Sequence, residues 1–176
     1  MNKIKITKIS DEVYKQKGYD KRGCYNTKCD DKCCLGGCDM DKETYDLVIK
    51  HRKIIEKELG INLDKCFKNK WSGDKDYLGE DSIETAEGKN GLCIFHMPDR
   101  KCCVLYKLVI ENNLPRRMIP SICRLYPLNW DNGLLYVYED IEKSCNCQRD
   151  DNRTKKNAFE TQKNEMEDIC DIANNA

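Results

Sequence analysis

Cysteine is the residue type whose number and spacing could do chemistry in this chain. The 176 residues include 13 cysteines but only two histidines. Most of the cysteines fall into a compact group at residues 24–38 and a dispersed group at residues 93–147. Two histidines are too few to argue a Ser/His/Asp arrangement, and no glycine-rich loop that would cradle a phosphate is present. The chemistry to explain is therefore that of sulfur.

Three interpretations compete for these thiols: disulfides, metal ligands and incidental buried side chains. A disulfide framework is typical of short secreted chains with an even number of cysteines. Here the number is odd, and residues 1–8 lack the apolar run of a secretory signal. Cys170 and Cys66 fit incidental thiols on apolar faces. Thiolates from the remaining cysteines would favour zinc, copper(I) or an iron–sulfur cluster.

The adjacent cysteines Cys33 and Cys34 impose a geometric condition on any shared metal. Neighbouring side chains on an extended backbone point to opposite faces, so both can bind one metal only where the chain bends sharply. Gly36 and Gly37, just after the pair, permit a tight turn. Without such a bend, the two thiols serve two metals, or one binds a metal and the other packs.

Charge and hydropathy exclude several kinds of partner. Lys+Arg and Asp+Glu both number 31, so there is no net positive charge to favour nucleic acid or a membrane surface. No apolar run approaches the roughly 20 residues of a membrane helix. We therefore expect a soluble, cytoplasmic protein with no nucleic-acid or membrane partner.

The elements that must position the cysteines are short. The sequence pattern predicts a strand within 3–9, an irregular segment at 10–23 and a helix capped by Asp41 and ended by Gly60. A long polar excursion follows over 61–91, which could carry a short strand. The pattern then predicts a helix over 104–113, a hairpin over 128–138 and an amphipathic helix over 153–174.

These elements predict a small, helix-rich α+β single domain with a short β-hairpin, organised around a cysteine-ligated metal centre. Residues 1–22 would form an N-terminal strand and irregular segment, residues 23–147 the cysteine-cluster metal-binding domain, and residues 148–176 a C-terminal amphipathic helix packed on it. Short elements bury little area, so metal binding would contribute to folding. We expect the metal-free protein to be loosened or unfolded.

The cysteine motifs also carry a family resemblance, which spans about residues 23–147. They are Cys24-x4-Cys29-x3-Cys33-Cys34, Cys93, Cys103-Val-Leu-Tyr106, Pro120-Ser-Ile-Cys123-Arg124-Leu-Tyr-Pro127 and Ser144-Cys145. This pattern is similar to the zinc- or iron-chelating cysteine-cluster family, and it most resembles the cysteine-rich region of flagellin lysine-N-methylases. The resemblance to this family depends on two motifs taken together, the Cys-Cys-Leu-Gly turn and the Cys-Arg-Leu-Tyr-Pro stretch.

The resemblance implies a ligand set and a cofactor. The metal ligands it implies are Cys24, Cys29, Cys33, Cys34, Cys93, Cys103, Cys123 and Cys145, whereas Cys38, Cys102 and Cys147 are additional to the pattern. The likeness to the methylases implies a four-iron (4Fe-4S) cluster, and thiolates do hold such clusters. Eight thiolates could equally close two zinc sites.

Two functions therefore stand side by side. The first is an iron–sulfur protein that handles electrons or, by resemblance, supports protein lysine N-methylation with a partner supplying the substrate. The alternative is a noncatalytic zinc-binding structural or interaction module. The catalytic residues, if there is turnover, are unknown.

Five other residues have a chemical and a structural interpretation. We expect His51 to be a core or boundary residue. His96, three residues after a cysteine, is the better ligand candidate of the two histidines, but we expect it to face solvent in a loop. Arg124 fits either a hydrogen-bond donor to a cluster sulfide or a structural ion pair. Tyr106 and Tyr126 are expected to pack around the metal.

Overall fold

The computed structural model describes residues 3–19, 23, 25, 31–97, 102–138 and 153–174. Within these ranges the strands are β1 (Ile4–Ile6), β2 (Lys8–Ile9), β3 (Asp39–Asp41), β4 (Phe67–Trp71), β5 (Ser82–Thr85), β6 (Leu128–Asp131), β7 (Leu134–Val137) and β8 (Cys170–Ile172). The α-helices are α1 (Glu12–Lys15), α2 (Lys42–Lys50), α3 (Arg52–Leu59), α4 (Val104–Asn112), α5 (Ser121–Leu125), α6 (Ala158–Thr161) and α7 (Lys163–Ile169). The protein is therefore an α+β protein, as the sequence pattern predicts.

The first hydrophobic core joins an antiparallel sheet to three helices. The strand order of this sheet is β3-β5-β4, and Met40 pairs with Ile83 across it. Helix α4 carries an almost continuous apolar surface because most of its residues, including Leu105 and Leu108, are buried. Buried Val48 of α2 and Ile55 of α3 lie in the same core.

The second hydrophobic core brings together distant parts of the described chain. Strand β1 pairs in parallel with β8, so that Ile4 lies opposite Cys170. Strand β2 pairs in parallel with β7, which forms an antiparallel hairpin with β6. Helices α6 and α7 cover this core through buried Ala158 and Met166.

Several predicted elements agree with the structure. The 3–9 segment contains β1 and β2, and the helix predicted over 104–113 is α4. The predicted hairpin is β6 and β7, joined by Asn132 and Gly133, whose φ angles of 46° and 78° are those of a tight two-residue turn. Asp41 caps α2 as expected, because its side chain accepts a hydrogen bond from the Thr44 backbone N–H.

Other predicted elements were wrong in extent. The helix predicted from Asp41 to Gly60 is two helices that meet at His51, and the segment over 10–23 contains the short helix α1. The excursion over 61–91 contains both β4 and β5. The helix predicted over 153–174 is divided into α6 and α7 and ends in strand β8, since Cys170–Ile172 pairs with β1. At this end of the described chain, pairing with the distant strand β1 determines the structure more strongly than the helical periodicity of the apolar residues.

The helices are short, and none in the described ranges has the length and apolar character needed to cross a membrane.

Candidate metal centre

One cavity collects most of the thiols that the structure describes. Its volume is about 310 Å³. Seven of the nine described cysteines line it, namely Cys33, Cys34, Cys38, Cys93, Cys102, Cys103 and Cys123. Leu35, which is 59% exposed, lines it as well, so the cavity opens at the surface beside the paired cysteines.

A tight turn places the paired cysteines together. Residues Lys32–Cys34 form a single 3₁₀ turn, preceded by Asp31 in a left-handed conformation with φ 62°. The Cys34 backbone N–H donates to the Asp31 carbonyl oxygen at 2.9 Å, and its carbonyl oxygen accepts from the Cys93 backbone N–H at 2.7 Å. The turn meets the condition derived from the sequence, because the backbone bends and both thiols face one cavity.

Strand β5 fixes the positions of Cys38 and Cys93 through Thr85. The Thr85 N–H donates to the Cys38 carbonyl oxygen at 2.9 Å, and the Cys38 N–H donates to Thr85 Oγ1 at 2.9 Å. Thr85 Oγ1 also lies 3.4 Å from Cys93 Sγ. The end of the central strand of the first sheet thus holds two cavity sulfurs beside one hydroxyl.

Two helices contribute the remaining thiols of the cavity. Cys103 precedes α4 as its N-terminal cap residue, and Cys123 lies in α5. The Tyr106 hydroxyl in α4 donates to the Cys123 carbonyl oxygen at 3.0 Å, which links the two helices. Tyr106 and Tyr126, which were expected to pack around the metal, both line the cavity together with the thiols.

The surroundings favour the protonated form of these thiols. A hydrogen bond with Cys123, together with burial, holds the pKa of Cys38 well above its ordinary value. The pKa of Cys93 is raised by its hydrogen bond with Cys38 and by burial, and that of Cys103 is raised by burial and by neighbouring Cys93. The hydrogen bond with Cys38 lowers the pKa of Cys123, but burial and nearby thiols outweigh it. A soft cation would replace these protons, since metal binding to thiols releases them.

Five of the eight predicted ligands lie in the part of the chain that the structure describes. Cys33, Cys34, Cys93, Cys103 and Cys123 come together at the cavity. Cys24, Cys29 and Cys145, as well as the additional Cys147, lie outside the described residues.

Two thiols lie apart from the cavity. Cys66 is buried in the first core and Cys170 in the second. Burial, as the main cause, raises the pKa of Cys66 to about 11 and that of Cys170 to about 12. These positions suit thiols that serve as small apolar side chains.

Sequence reasoning left two cavity thiols out of the ligand set. Cys38 and Cys102 are additional to the family pattern, yet both line the cavity. The signal for Cys38 was its spacing, since it follows Cys34 by four residues and stands directly before a strand. Cys102 adjoins Cys103, and its thiol lies 3.6 Å from the Cys103 carbonyl oxygen.

The environment of His96 differs from the prediction. His96 is mostly buried and lines the cavity instead of facing solvent, because its Nε2 lies 3.1 Å from Asp31 Oδ2 at the start of the cysteine turn. His51 lies at the break between α2 and α3 and is not part of the cavity wall.

Arg124 forms a structural ion pair. The side chain is 3% exposed, and its Nε donates to Glu165 Oε2 at 2.6 Å, while its Nη2 bonds to Asp168. The arginine is not part of the cavity wall. Of its two interpretations, the structure therefore supports the ion pair.

The donor set suits a soft metal. Among the residues that the structure describes, no three His, Cys, Asp or Glu side chains are arranged so that they could hold one metal ion. Sulfur nevertheless supplies most of the metal-binding atoms around the cavity, and sulfur favours zinc, copper(I) and iron–sulfur clusters. The chemistry of the donor set therefore suits a soft metal bound by thiolates.

No protein-family model, curated protein or solved structure matches this chain.

Proposed function

We propose that this protein binds an iron–sulfur cluster, of the 4Fe-4S type, through cysteine thiolates at the cavity between its two hydrophobic cores. The observation that carries the proposal is that seven of the nine described cysteines line one cavity of about 310 Å³. The predicted ligands are Cys24, Cys29, Cys33, Cys34, Cys93, Cys103, Cys123 and Cys145.

The size of the cavity favours a cluster over a single ion, whereas the number of thiols does not distinguish them, because a zinc ion and a 4Fe-4S cluster each take four cysteine ligands. One tetrahedral zinc site needs little space beyond its ligands at bond lengths of about 2.0–2.3 Å. The cavity is wider than that, and its cysteines are spread over the wall. Zinc is the alternative, with two all-thiolate sites that only hold the fold, and it would make the protein a noncatalytic structural or interaction module.

The apolar residues around the thiols would make the cavity suitable for a centre that transfers electrons. A bound iron–sulfur cluster supplies one-electron transfer. Phe95 and Leu105 form buried apolar parts of the wall, and hydrophobic surroundings tune the potential of such a centre. The exposed Leu35 at the opening is where a partner could approach.

The resemblance to flagellin lysine-N-methylases extends the proposal to a modification reaction. In this extension the centre supports protein lysine N-methylation, and a partner protein supplies the lysine and the methyl donor. Electron transfer to a partner is the simpler form of the same proposal.

Metal analysis of anaerobically purified protein tests the proposal. We expect a brown protein with broad visible absorption that contains iron and acid-labile sulfide. Cys123→Ser should lose most of the metal, because Cys123 lines the cavity, whereas Cys170→Ser in the second core should keep the wild-type content. A colourless protein with stoichiometric zinc would establish the alternative. Wild-type metal content in Cys123→Ser would show that the ligand assignment is wrong.

A further inference from the structure

A buried hydroxyl lies between two sulfur atoms of the cavity. Thr85 is completely buried, and its Oγ1 lies 3.4 Å from Cys93 Sγ and 3.9 Å from Cys38 Sγ. The same oxygen accepts the Cys38 backbone N–H at 2.9 Å. A threonine hydroxyl carries a single proton, so accepting this N–H leaves that proton for a sulfur atom.

The neighbouring backbone at Gly37 and Cys38 holds the Thr85 hydroxyl in its place beside the sulfur atoms. A Cβ at Gly37 would meet Thr85 Oγ1 at 2.7 Å and the Thr85 carbonyl oxygen at 2.9 Å. The Thr85 N–H also donates to the Cys38 carbonyl oxygen, which continues the β3–β5 ladder up to the cysteine. Thr85 is thus held from both sides at the wall of the cavity.

Cys38 lies where the thiols of the cavity meet. Cys38, Cys93 and Cys123 come from different segments of the chain and line the same cavity, and one hydroxyl, that of Thr85, contacts the sulfurs of both Cys38 and Cys93. Cys38 is additional to the family pattern, so neither the resemblance nor the proposed ligand set includes it. A place on the same cavity wall and a hydroxyl shared with the predicted ligand Cys93 are nevertheless what a further ligand of the same centre requires.

We infer that Cys38 and Cys93 bind the same metal centre and that Thr85 is a positioning residue that donates a hydrogen bond to the Cys93 sulfur. The inference rests on the proposed function. Once both cysteines are thiolates, neither can donate, so the hydroxyl must supply the proton to the nearer sulfur. Hydrogen bonds to ligand sulfurs orient the ligands and tune the metal centre.

Zinc affinity of the full-length chain gives the first test. With Zn²⁺ alone as the probe, in competition with a chromophoric chelator, Thr85→Val should bind about 10- to 100-fold more weakly than wild type. Thr85→Ser should restore the affinity, because serine keeps the hydroxyl. If the valine variant does not fold, Thr85→Ser and Thr85→Ala supply the same comparison, since they differ only by the hydroxyl.

A matched control separates positioning from loss of stability. Thr44 is also buried, but its hydroxyl bonds to Asp41 Oδ2 at 2.9 Å, and the residue is not part of the cavity wall. Thr44→Val should therefore destabilise the fold while lowering zinc affinity less than Thr85→Val. In iron-reconstituted protein, Thr85→Val should lower the reduction potential, because the more negative reduced centre loses a hydrogen bond, whereas Thr44→Val should leave the potential unchanged.

Cysteine variants test the other half of the inference. Cys38→Ser should lower zinc affinity and iron content, whereas Cys66→Ser, a buried thiol outside the cavity, should keep both. Wild-type metal binding in Cys38→Ser would show that Cys38 is not a ligand. Equal affinity losses in Thr85→Val and Thr44→Val, with no change in potential, would show that Thr85 only stabilises the fold. A wild-type protein that binds neither zinc nor iron would instead overturn the proposed function itself.

Discussion

Gly36 and Gly37 follow the paired cysteines, and both have a positive φ, of 77° and 84°. Their surroundings differ. Nothing lies within 4 Å of a Cβ built at Gly36, whereas a Cβ at Gly37 would clash with both the hydroxyl and the carbonyl oxygen of Thr85. A substitution at Gly36 therefore introduces backbone strain alone, whereas a substitution at Gly37 introduces the same strain and also a steric clash at the wall of the cavity.

We predict that Gly37→Ala is more harmful than Gly36→Ala. A left-handed backbone costs a non-glycine residue about 1–3 kcal/mol, and both variants bear that cost. Gly37→Ala must in addition displace Thr85, so it should lose more stability and also bind metal more weakly. Urea unfolding and zinc titration of the two variants measure the difference. Equal losses in the two variants would contradict the close approach to Thr85.

The role of a single residue was predictable from the sequence only where the spacing between cysteines indicated it. The spacing distinguished Cys66 and Cys170 from the other cysteines, and these two thiols do lie apart from the cavity. Thr85 could not be found in this way. It lies in a stretch that reads as a polar excursion, and its contact with Cys38 depends on strands that pair across 47 positions of sequence.

Among the helices, α5 is held to α7 by a network of ion pairs. Arg124 in α5 bonds to Glu165 and Asp168 in α7, and Arg116 also bonds to Glu165. Burial raises the pKa of Asp168, but hydrogen bonds from Arg124 and Arg117 outweigh this effect and keep it below the ordinary value. Because Cys123 immediately precedes Arg124, this network also fixes one wall of the cavity.

We predict that Arg124→Met lowers the free energy of unfolding by about 3 kcal/mol at pH 7, because it leaves buried Glu165 with one partner fewer. The loss should shrink below about pH 4. A carboxyl with a lowered pKa, such as Asp168, stabilises the fold above its ordinary value of 3.8, and this effect disappears as the pH falls through its value in the folded protein.

Urea unfolding at several pH values measures this effect. Lys163→Met is the control, because Lys163 and Glu167 form an exposed pair on the same helix and should contribute less than about 0.5 kcal/mol. Equal losses in the two variants would show that the buried network does not hold α5.

Whole elements were predictable where local signals agreed. Asn132 and Gly133 specify the hairpin turn, and apolar residues from Val104 onward specify α4. The end of the last helix was not predictable, because Ile169 and Cys170 suit a helical stripe as well as a strand. Only the partner strand β1, more than 160 residues earlier in sequence, decides between them.

At the scale of the molecule, the cavity lies where the two hydrophobic cores meet. The first core contributes Phe95 and Leu105 to its wall, and the second contributes Leu128. A metal centre there would join the cores. Predictions from the sequence could state that ligands converge, but not that they do so at this boundary, because which core a segment enters depends on all the others.

We predict that removing the proposed metal centre loosens the cavity before the distant sheet. Hydrogen exchange of chelator-treated protein should show loss of protection in β5, which holds Cys38 and Cys93 through Thr85. Strands β1 and β8 lie outside the cavity wall and should stay protected longer. Equal protection with and without metal, in every strand, would show that the centre does not stabilise the fold.

The parallel pairing of β1 with β8 also affects how the protein is made. Ile4 and Ile6 leave the ribosome early, yet their partners Cys170 and Ile172 are synthesised more than 160 residues later. During that interval the first strand has no edge to join, so the second core stays open on the nascent chain. A chain stalled before residue 170 should therefore be cut by protease near residues 4–6, and the released chain that includes β8 should resist.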